Sequence, residues 1–216
     1  MPVPPTKREA PRVLLKDLVL VRLRDAILGG HLRPGERLDD GELQDWLGVS
    51  RTPLRHAIDQ LGLTGLIELH PQRFTRVTTQ TAAEAPDAAI AMEAILCGVI
   101  STAGPVSRAS RTFAHLRSAD GALSGGAGAQ TFWIHFLNGF IALGQETGNP
   151  FMTAVLETFG PTLVFKLGAL PAPADDEATR ASLGRLVAAL QRNDLADTQK
   201  STRQLLVDFG MSESAA

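Results

Sequence analysis

The sequence predicts a mainly α-helical protein of two domains: an N-terminal winged helix-turn-helix, made of three helices plus a β-hairpin, followed by an all-α helical bundle. Apolar residues recur at helical spacing along most of the chain, and the clear strand signal is confined to two short runs between residues 66 and 78. The 216 residues, 44% of them hydrophobic, are enough to bury a core in each domain. We place the first domain at residues 12–79, a linker at 80–86 and the second domain at 87–210.

The composition excludes several classes of protein. The sequence contains no run of about 18 or more apolar residues, so it predicts no membrane span. Cys97 is the single cysteine, which excludes disulfide frameworks and multi-cysteine zinc sites, and its apolar neighbours predict a buried, inert thiol. Residues 1–11 lack the apolar segment of a secretory signal and indicate either a flexible arm that touches the DNA backbone or a plain disordered terminus. A cytoplasmic protein is therefore expected.

Charge is distributed unevenly along the chain. Residues 1–81 carry 12 Lys and Arg against 10 Asp and Glu, a net charge of +2, whereas residues 82–216 carry 9 against 13, a net charge of −4. The difference is small, but it agrees with a first half that binds an anionic partner such as DNA.

The first helix is predicted from Leu14 to Leu28 and ends at Gly29-Gly30. Its expected shared face consists of Leu15, Leu18, Val19, Arg22, Leu23, Ala26 and Ile27. Arg22 is the polar exception on that face. The Pro34-Gly35 pair then indicates a turn.

A second, shorter helix is predicted from Gly41 to Leu47, with either Asp39 or Asp40 as its N-terminal cap. Its inward residues are expected to be Leu43, Trp46 and Leu47. Gly48 ends it, so that the next helix begins after a tight turn, as in a helix-turn-helix.

The third helix follows directly, with Ser50 as N-cap and Pro53 in the first turn, where a missing N–H costs nothing. One apolar stripe is formed by Leu54, Ala57, Ile58 and Leu61. Arg51 and Arg55 fall on another face. A helix with a packed back and a basic leading end suits insertion into a DNA major groove. An ordinary amphipathic helix with two solvated arginines is the alternative.

Two strand-like runs at residues 66–69 and 74–78 enclose a four-residue polar turn, which predicts a β-hairpin. A hairpin directly after a recognition helix is the wing of a winged helix. Its tip carries His70, Gln72 and Arg73, which could reach phosphate or the minor groove.

The matching residues that carry a resemblance to a known family are Arg33-Pro34-Gly35-Glu36-Arg37-Leu38, Glu42-Leu43, Leu47-Gly48-Val49-Ser50-Arg51-Thr52-Pro53-Leu54-Arg55, Ala57-Ile58, Leu61 and Gly65-Leu66-Ile67. Through this long, ungapped pattern, residues 15–77 resemble the DNA-binding domain of the GntR family of bacterial transcription regulators.

The resemblance implies that Ser50, Arg51, Thr52 and Arg55 meet the operator DNA. Two positions depart from the family pattern: His56 stands where a glutamate is usual, and Phe74 stands where the wing usually has glycine. If that glycine supplies a positive φ, the wing tip that carries Arg73 must differ here.

Helical periodicity dominates beyond the linker. The predicted helices are Asp87–Ala103, Ser107–Leu116, Gln130–Gln145, Phe151–Leu167, Glu177–Gln191 and Asp194–Phe209. In the first of these, Ile90, Ile95, Leu96, Val99 and Ile100 are expected on or near the apolar side. The glycine-rich stretch Gly121–Ala129 is expected to be a loop or a frayed helix start.

A second resemblance rests on Glu93, Phe132, Leu143 with Thr147-Gly148-Asn149-Pro150, and Ala188-Ala189-Leu190 to Asp194. Residues 84–209 resemble the all-helical effector domain (FCD domain) of the FadR-type branch of GntR regulators. Many such domains hold a divalent metal through one aspartate and three histidines. Counting from Asn149 and Asp194 places those four ligand positions at Phe136, Phe140, Leu183 and Leu205.

Because none of these four side chains can ligate Zn²⁺, Mn²⁺ or Ni²⁺, we expect no metal and no cofactor. His135 lies one residue, about 100°, from the Phe136 position and should face elsewhere, and His115 has no evident place in the site. An arginine that often anchors carboxylate effectors is Ala89 here. Two alternatives remain for this region: a filled, ligand-free core, which we favour, or an apolar pocket for a small hydrophobic effector.

The leading functional hypothesis is a transcription regulator, expected to be a repressor, that binds a near-palindromic double-stranded DNA operator. It is expected to bind as a homodimer, with the dimer contact made by its helical domain. An enzyme is the competing class, but no Gly-x-Ser-x-Gly, His-Glu-x-x-His, Cys-x-x-Cys or Walker pattern occurs. The third class is an interaction module that has lost DNA binding, and the intact run from Ser50 to Arg55 argues against it.

Overall fold

A computed structural model describes residues 15–70, 73–126, 128–171 and 176–209. Their helices are α1 (Leu15–Leu28), α2 (Asp40–Leu47), α3 (Arg51–Leu63), α4 (Ala85–Ser101), α5 (Arg111–Ser124), α6 (Ala129–Thr147), α7 (Pro150–Leu167), α8 (Asp176–Arg192) and α9 (Leu195–Asp208), and their strands are β1 (Ile67–His70) and β2 (Phe74–Val77). The predicted fold class is confirmed. Within these ranges no helix is long and apolar enough to cross a membrane.

The first domain is a three-helix unit with a hairpin beside it. Helix α3 packs on α1 and, through a shorter contact, on α2. Strands β1 and β2 pair antiparallel, with Ile67 opposite Val77 and His70 opposite Phe74. Arg37, in the link between α1 and α2, forms an isolated bridge with Arg76 of β2, so the link lies along the free edge of the wing.

The helix-turn-helix is set by two local signals. Asp39, not Asp40, is the N-cap of α2, because its Oδ1 accepts from the N–H groups of Gly41 at 2.8 Å and Glu42 at 3.0 Å. Gly48 ends α2 in the left-handed region at φ 66°, where a residue without Cβ has no steric penalty. The chain can therefore turn sharply into α3.

Several predicted inward residues of the first domain face solvent instead. Trp46 is 54% exposed, and Leu15 and Leu18 are 55% and 47% exposed. Helix α2 buries only Leu43 and Leu47, which are one turn apart, and Trp46 lies about 100° around the helix from Leu47. In α1 the buried residues are Val19, Leu23, Ala26, Ile27 and Leu28, so Arg22 is also exposed and the expected face was too wide.

Helix α6 lies at the centre of the second domain, with α5 and α7 packed on either side, while α8 and α9 form a helical hairpin that contacts α4 and α5. The α6–α7 contact is close because of glycine: a Cβ at Gly144 would lie 2.4 Å from Thr153 Oγ1, and a Cβ at Gly160 would lie 2.5 Å from Leu137 Cδ1. Asn149 caps α7 by accepting from the N–H of Phe151 at 2.9 Å.

The boundaries of α5 differ from the prediction of Ser107–Leu116. The helix begins at Arg111, after a turn in which Ser110 N–H donates to Ser107 O at 2.9 Å. It then runs through Gly121 to Ser124, although that segment was expected to be a loop or a frayed helix start. Ala119, Ala122 and Leu123 are buried, so packing keeps the glycine-containing turn helical.

Two expectations for α4 are wrong. Ile90 is 50% exposed and does not join the apolar side. Cys97 is half-buried, not buried. Burial still raises the pKa of its thiol, and the nearby carboxylate of Glu93 raises it further, so the protonated, unreactive form is favoured.

The two domains are joined by polar contacts as well as by the chain. Lys166, near the end of α7, donates from Nζ to Thr79 O at 2.6 Å, Glu84 Oε1 at 2.9 Å and Thr78 Oγ1 at 3.3 Å. The hydrogen bond from Lys166, with one from Thr81, holds the pKa of Glu84 below its usual value. Gln80 also donates to the carbonyl of Phe165. The strand-to-helix connection is therefore fastened to α7.

Candidate nucleic-acid interface

Helix α3 has one packed face and one free face. Leu54, Ala57, Ile58 and Leu61 are at most 4% exposed and pack in the core of the first domain. Arg51 and Thr52 are exposed, and the side chain of Arg55 is 44% exposed. The free face and the leading end of the helix thus present the hydroxyl and guanidinium groups that the sequence singled out.

The hydroxyl of Ser50 remains available for a partner. Ser50 occupies the N-cap position with an extended backbone, φ −75° and ψ 167°, but its hydroxyl makes no capping hydrogen bond to the described first turn of α3. The expected cap bond is therefore wrong. Free N–H groups at the start of a helix and an uncommitted hydroxyl suit contacts to DNA phosphate.

Asp40 lies between Arg51 and Arg55 of α3. The sequence analysis did not identify Asp40 as part of this site. Its Oδ2 is 3.7 Å from Arg51 Nε, and its Oδ1 is 3.6 Å from Arg55 Nη1. Asp40 precedes Arg51 by eleven residues on another helix, so no local periodicity relates them. Only the packing of α2 against α3 brings the carboxylate to this face.

The wing is stabilised by Phe74, one of the two residues that depart from the family pattern. The ring of Phe74 packs against His70 in a tilted arrangement at a centroid distance of 4.3 Å, and the guanidinium carbons of Arg37 and Arg76 lie 5.2 and 5.1 Å from its centroid. Phe74 begins β2 and is not among the positive-φ residues of the described chain. The aromatic ring therefore stabilises a wing that needs no left-handed residue at this position.

Glu68 on β1 holds the base of the wing. Its Oε2 accepts from Arg76 Nε at 2.8 Å and lies 2.7 Å from Arg76 Nη2. Partial burial alone raises the pKa of this carboxyl, but the hydrogen bonds from Arg76 and from the Thr79 N–H outweigh it, so the pKa is lowered. Arg76 is therefore committed to the wing and does not belong to the free basic face.

A cleft of about 430 Å³ separates the recognition helix from the wing. Its lining consists of Arg55, Asp59, Leu69, His70, Arg73, Phe74 and Thr75. The structure thus brings His70 and Arg73 of the wing to the same cleft as Arg55 of α3. Gln72, the remaining predicted contact, lies outside the described residues, as do the N-terminal residues 1–11.

In the second domain, the four positions that correspond to the metal ligands of the FadR-type branch are buried in the hydrophobic core. Phe136, Phe140, Leu183 and Leu205 are 0%, 1%, 2% and 0% exposed, respectively. The rings of Phe136 and Phe140 lie 5.0 Å apart, and Phe132 stacks on Phe136 at 5.6 Å. Leu183 of α8 and Leu205 of α9 belong to the same hydrophobic core as these rings.

The two histidines of this domain lie on neighbouring helices, His115 on α5 and His135 on α6. Burial lowers the pKa of His115, and the proximity of His135 and Arg111 lowers it further. Within the described ranges no three metal-ligating side chains come together. The two imidazoles therefore do not belong to a larger group of potential ligands in the part of the chain that is described.

Residues 15–77 match the sequence model of the bacterial regulatory proteins of the gntR family. The match covers α1, α2, α3 and both strands of the wing. These residues form a GntR-family winged helix-turn-helix domain. Domains of this family are found in bacterial regulatory proteins, and the basic face of α3 with the adjoining cleft is the candidate nucleic-acid interface of this one.

Curated relatives of this GntR-family domain are similar over part of their length. A transcriptional regulator in an unstable DNA locus of Streptomyces ambofaciens is 34% identical over 80 residues, covering 37% of this chain and 34% of the relative. The transcriptional repressor RspR of Escherichia coli K12 is 28% identical over 112 residues, covering 52% of this chain and 45% of the relative. The chain thus spans between about a third and a half of the length of these relatives.

Solved structures are similar over both domains. A putative GntR transcriptional regulator from Rhodococcus sp. RHA1 has a TM-score of 0.72 at 20% identity, covering 89% of this chain and 94% of that one. Escherichia coli McbR/YncC has a TM-score of 0.63 at 18% identity, covering 91% and 95%. At these identities the likeness shows the shared fold.

Proposed function

We propose that this chain is a sequence-specific transcription regulator that binds a near-palindromic operator and represses transcription. The observation that carries the proposal is the arrangement on α3, where Ser50, Arg51, Thr52 and Arg55 lie at the free leading end of a helix whose opposite face is packed in the core. An arginine fork presented in this way can pair with O6 and N7 of guanine in the major groove. The name of the relative RspR as a repressor supports that sign of regulation.

The wing contributes contacts of lower sequence selectivity. His70, Gln72 and Arg73 at its tip are proposed to meet phosphate or the minor groove next to the major-groove site. The cleft shared by Arg55, His70 and Arg73 supports this assignment, because a DNA backbone that passes between α3 and the wing would meet positive charge from both sides.

A gel-shift titration with DNA that flanks the chain's own gene tests this function. We expect retardation of one fragment at protein concentrations that leave a scrambled fragment of equal length unbound, since specific binding usually exceeds nonspecific binding by about 10³-fold or more. A parallel selection from a randomised duplex pool detects specific binding even if the operator does not flank this gene. Failure to enrich any sequence from that pool would exclude sequence-specific binding.

We further propose that the second domain is of the FCD type of the FadR branch and makes the homodimer contact. Helix α7 supports this: Phe151, Val155 and Phe159 are 81%, 38% and 46% exposed and recur every four residues, so they form an apolar stripe along one side of the helix. A second copy of this chain is the proposed occupant of the stripe, because a near-palindromic operator requires two recognition helices related by a two-fold axis.

Replacing both Phe151 and Phe159 by serine should therefore convert a dimer into a monomer without unfolding it, since neither ring is part of the buried core of the single chain. Analytical ultracentrifugation at micromolar concentration measures the change. Leu63→Ser is the matched control, because Leu63 is 85% exposed but lies in the first domain. A double variant that still sediments as a dimer would place the contact elsewhere.

The second domain is proposed to contain no metal site, with a filled core around Phe136, Phe140, Leu183 and Leu205. The second candidate is a sensor of a small hydrophobic molecule, and one observation favours it: Trp133 is fully buried, yet its Nε1–H has no acceptor within the described residues. An apolar effector with one acceptor atom would satisfy that donor. Native mass spectrometry of the purified protein distinguishes the two, because a retained effector adds mass.

A further inference from the structure

One carboxylate bridges the two arginines of the recognition helix. Oδ2 of Asp40 lies 3.7 Å from Arg51 Nε, and Oδ1 lies 3.6 Å from Arg55 Nη1, so each oxygen faces a different guanidinium. Arg51 and Arg55 are one helical turn apart on α3, and a side chain from α2 is placed to face both of them. The side chain of Asp40 is 27% exposed, whereas that of Arg51 is 75% exposed.

The position of Asp40 is fixed by the backbone around it. It is the first residue of α2, directly after the N-cap Asp39. Gln44 Nε2 donates to its carbonyl oxygen at 2.9 Å, and Leu43 and Leu47 anchor the helix in the core. The carboxylate is thus carried on a packed element, while the arginine side chains that it faces are 75% and 44% exposed.

The two ion pairs themselves add little to stability. Ion pairs between exposed side chains at separations above 3.5 Å contribute little to folding, because water screens them and long side chains lose entropy. The Asp40 carboxylate instead changes the charge of the interface. Two arginines with one carboxylate between them present a net charge of +1 to DNA, whereas the arginines alone present +2.

The geometry also leaves free the N–H donors of Arg51 that can pair with a base. An arginine has five N–H donors, and the oxygen beside Arg51 faces Nε, so both terminal nitrogens remain available. Two parallel N–H groups are what O6 and N7 of guanine accept. A phosphate group approaching the same guanidinium is repelled by the neighbouring carboxylate, whereas the neutral edge of a base is not.

We propose that Asp40 is a specificity-determining residue of the interface, which orients Arg51 for base contacts and opposes its use as a nonspecific phosphate contact. This inference rests on the proposed DNA-binding function. Asp40 acts through Arg51 and is therefore a positioning residue. Its removal should strengthen binding to DNA of any sequence and weaken the preference for the operator.

Fluorescence anisotropy of the full chain with the selected operator duplex and a scrambled duplex of equal length, between 50 and 200 mM salt, tests this inference. For Asp40→Asn we expect binding to the scrambled duplex to tighten roughly five- to tenfold. The slope of log K against log salt should steepen by about one for each additional phosphate contact. The ratio of operator to scrambled affinity should fall, though by less than the nonspecific gain, because binding to the operator also tightens.

Asp45→Asn is the matched control, since Asp45 is an exposed carboxylate on the same helix and makes no described ion pair with the recognition arginines. It should shift both duplexes equally and leave the ratio unchanged. Asp40→Glu, which keeps the carboxylate, should retain most of the wild-type ratio and salt slope. Unchanged thermal melting of all three variants shows that the fold is retained.

The possible failures are distinguishable. If the wild-type chain prefers its operator but Asp40→Asn keeps the same ratio and salt slope, the inference about Asp40 is wrong while the proposed function stands. The same holds if Asp45→Asn lowers the ratio as much as Asp40→Asn. If the wild-type ratio is itself close to one, the proposed function fails, and the inference fails with it.

Discussion

Replacing Phe140 by alanine is expected to destabilise the second domain by about 3–5 kcal/mol, which would be the largest effect of a single substitution considered in this protein. Phe140 is 1% exposed and lies 5.0 Å from the ring of Phe136. Removal of the ring loses its transfer free energy and leaves a cavity that surrounding helices can only partly fill. Urea titration followed by circular dichroism measures the change as a lower midpoint.

Phe140→Leu is the informative companion, because it keeps most of the volume and should cost below about 1.5 kcal/mol. Leu63→Ala removes an exposed apolar side chain and should change stability by less than about 0.5 kcal/mol. A loss below about 1 kcal/mol in Phe140→Ala would contradict a packed cluster. The apolar effector pocket would then become the better interpretation of this region.

The same cluster governs the expected metal content. Phe136, Phe140, Leu183 and Leu205 have no lone pairs to offer a cation, so purified protein should contain substoichiometric Zn, Mn and Ni. A chelator should leave the melting temperature unchanged. Stoichiometric metal bound through His115 or His135 would show that the register counted from Asn149 is wrong.

Local chemistry made much of this structure predictable from sequence. Gly48, Ser50 and Pro53 mark the start of α3, and the polar turn before Phe74 marks the wing, since each signal acts within a few residues of the element it sets. Asn149 and Asp194 cap α7 and α9, which fixes the registers of these helices. Counting from these two caps placed the four metal-ligand positions of the FadR-type branch at apolar residues, and all four are buried in the structure.

What the sequence could not predict depends on tertiary packing. Trp46 looks as apolar as Leu43 in sequence, but a helix of eight residues packed against α3 buries only one narrow stripe. Gly121 looks like a helix end, yet burial of Ala122 and Leu123 keeps its turn helical. The contact of Asp40 with the recognition arginines joins two helices, so a pattern within either one carries no trace of it.

Replacing Arg51 by alanine should remove about 1–3 kcal/mol of operator discrimination, roughly a 5- to 150-fold loss, if its terminal nitrogens pair with guanine. The fold should survive, because the side chain of Arg51 is 75% exposed and does not belong to the buried stripe of α3. Anisotropy with operator and scrambled duplexes measures the discrimination. Arg117→Ala, which removes an exposed arginine from the second domain, is the control and should change neither affinity.

Arg55→Ala distinguishes a phosphate contact from a base contact. Arg55 is 44% exposed and lines the cleft between α3 and the wing, so a phosphate contact there would be lost on operator and scrambled DNA alike. Its salt slope should then fall by about one, whereas the slope of Arg51→Ala should change little, since a base contact releases no counterion. If both variants bind the operator as tightly as the wild-type chain, α3 is not the recognition helix.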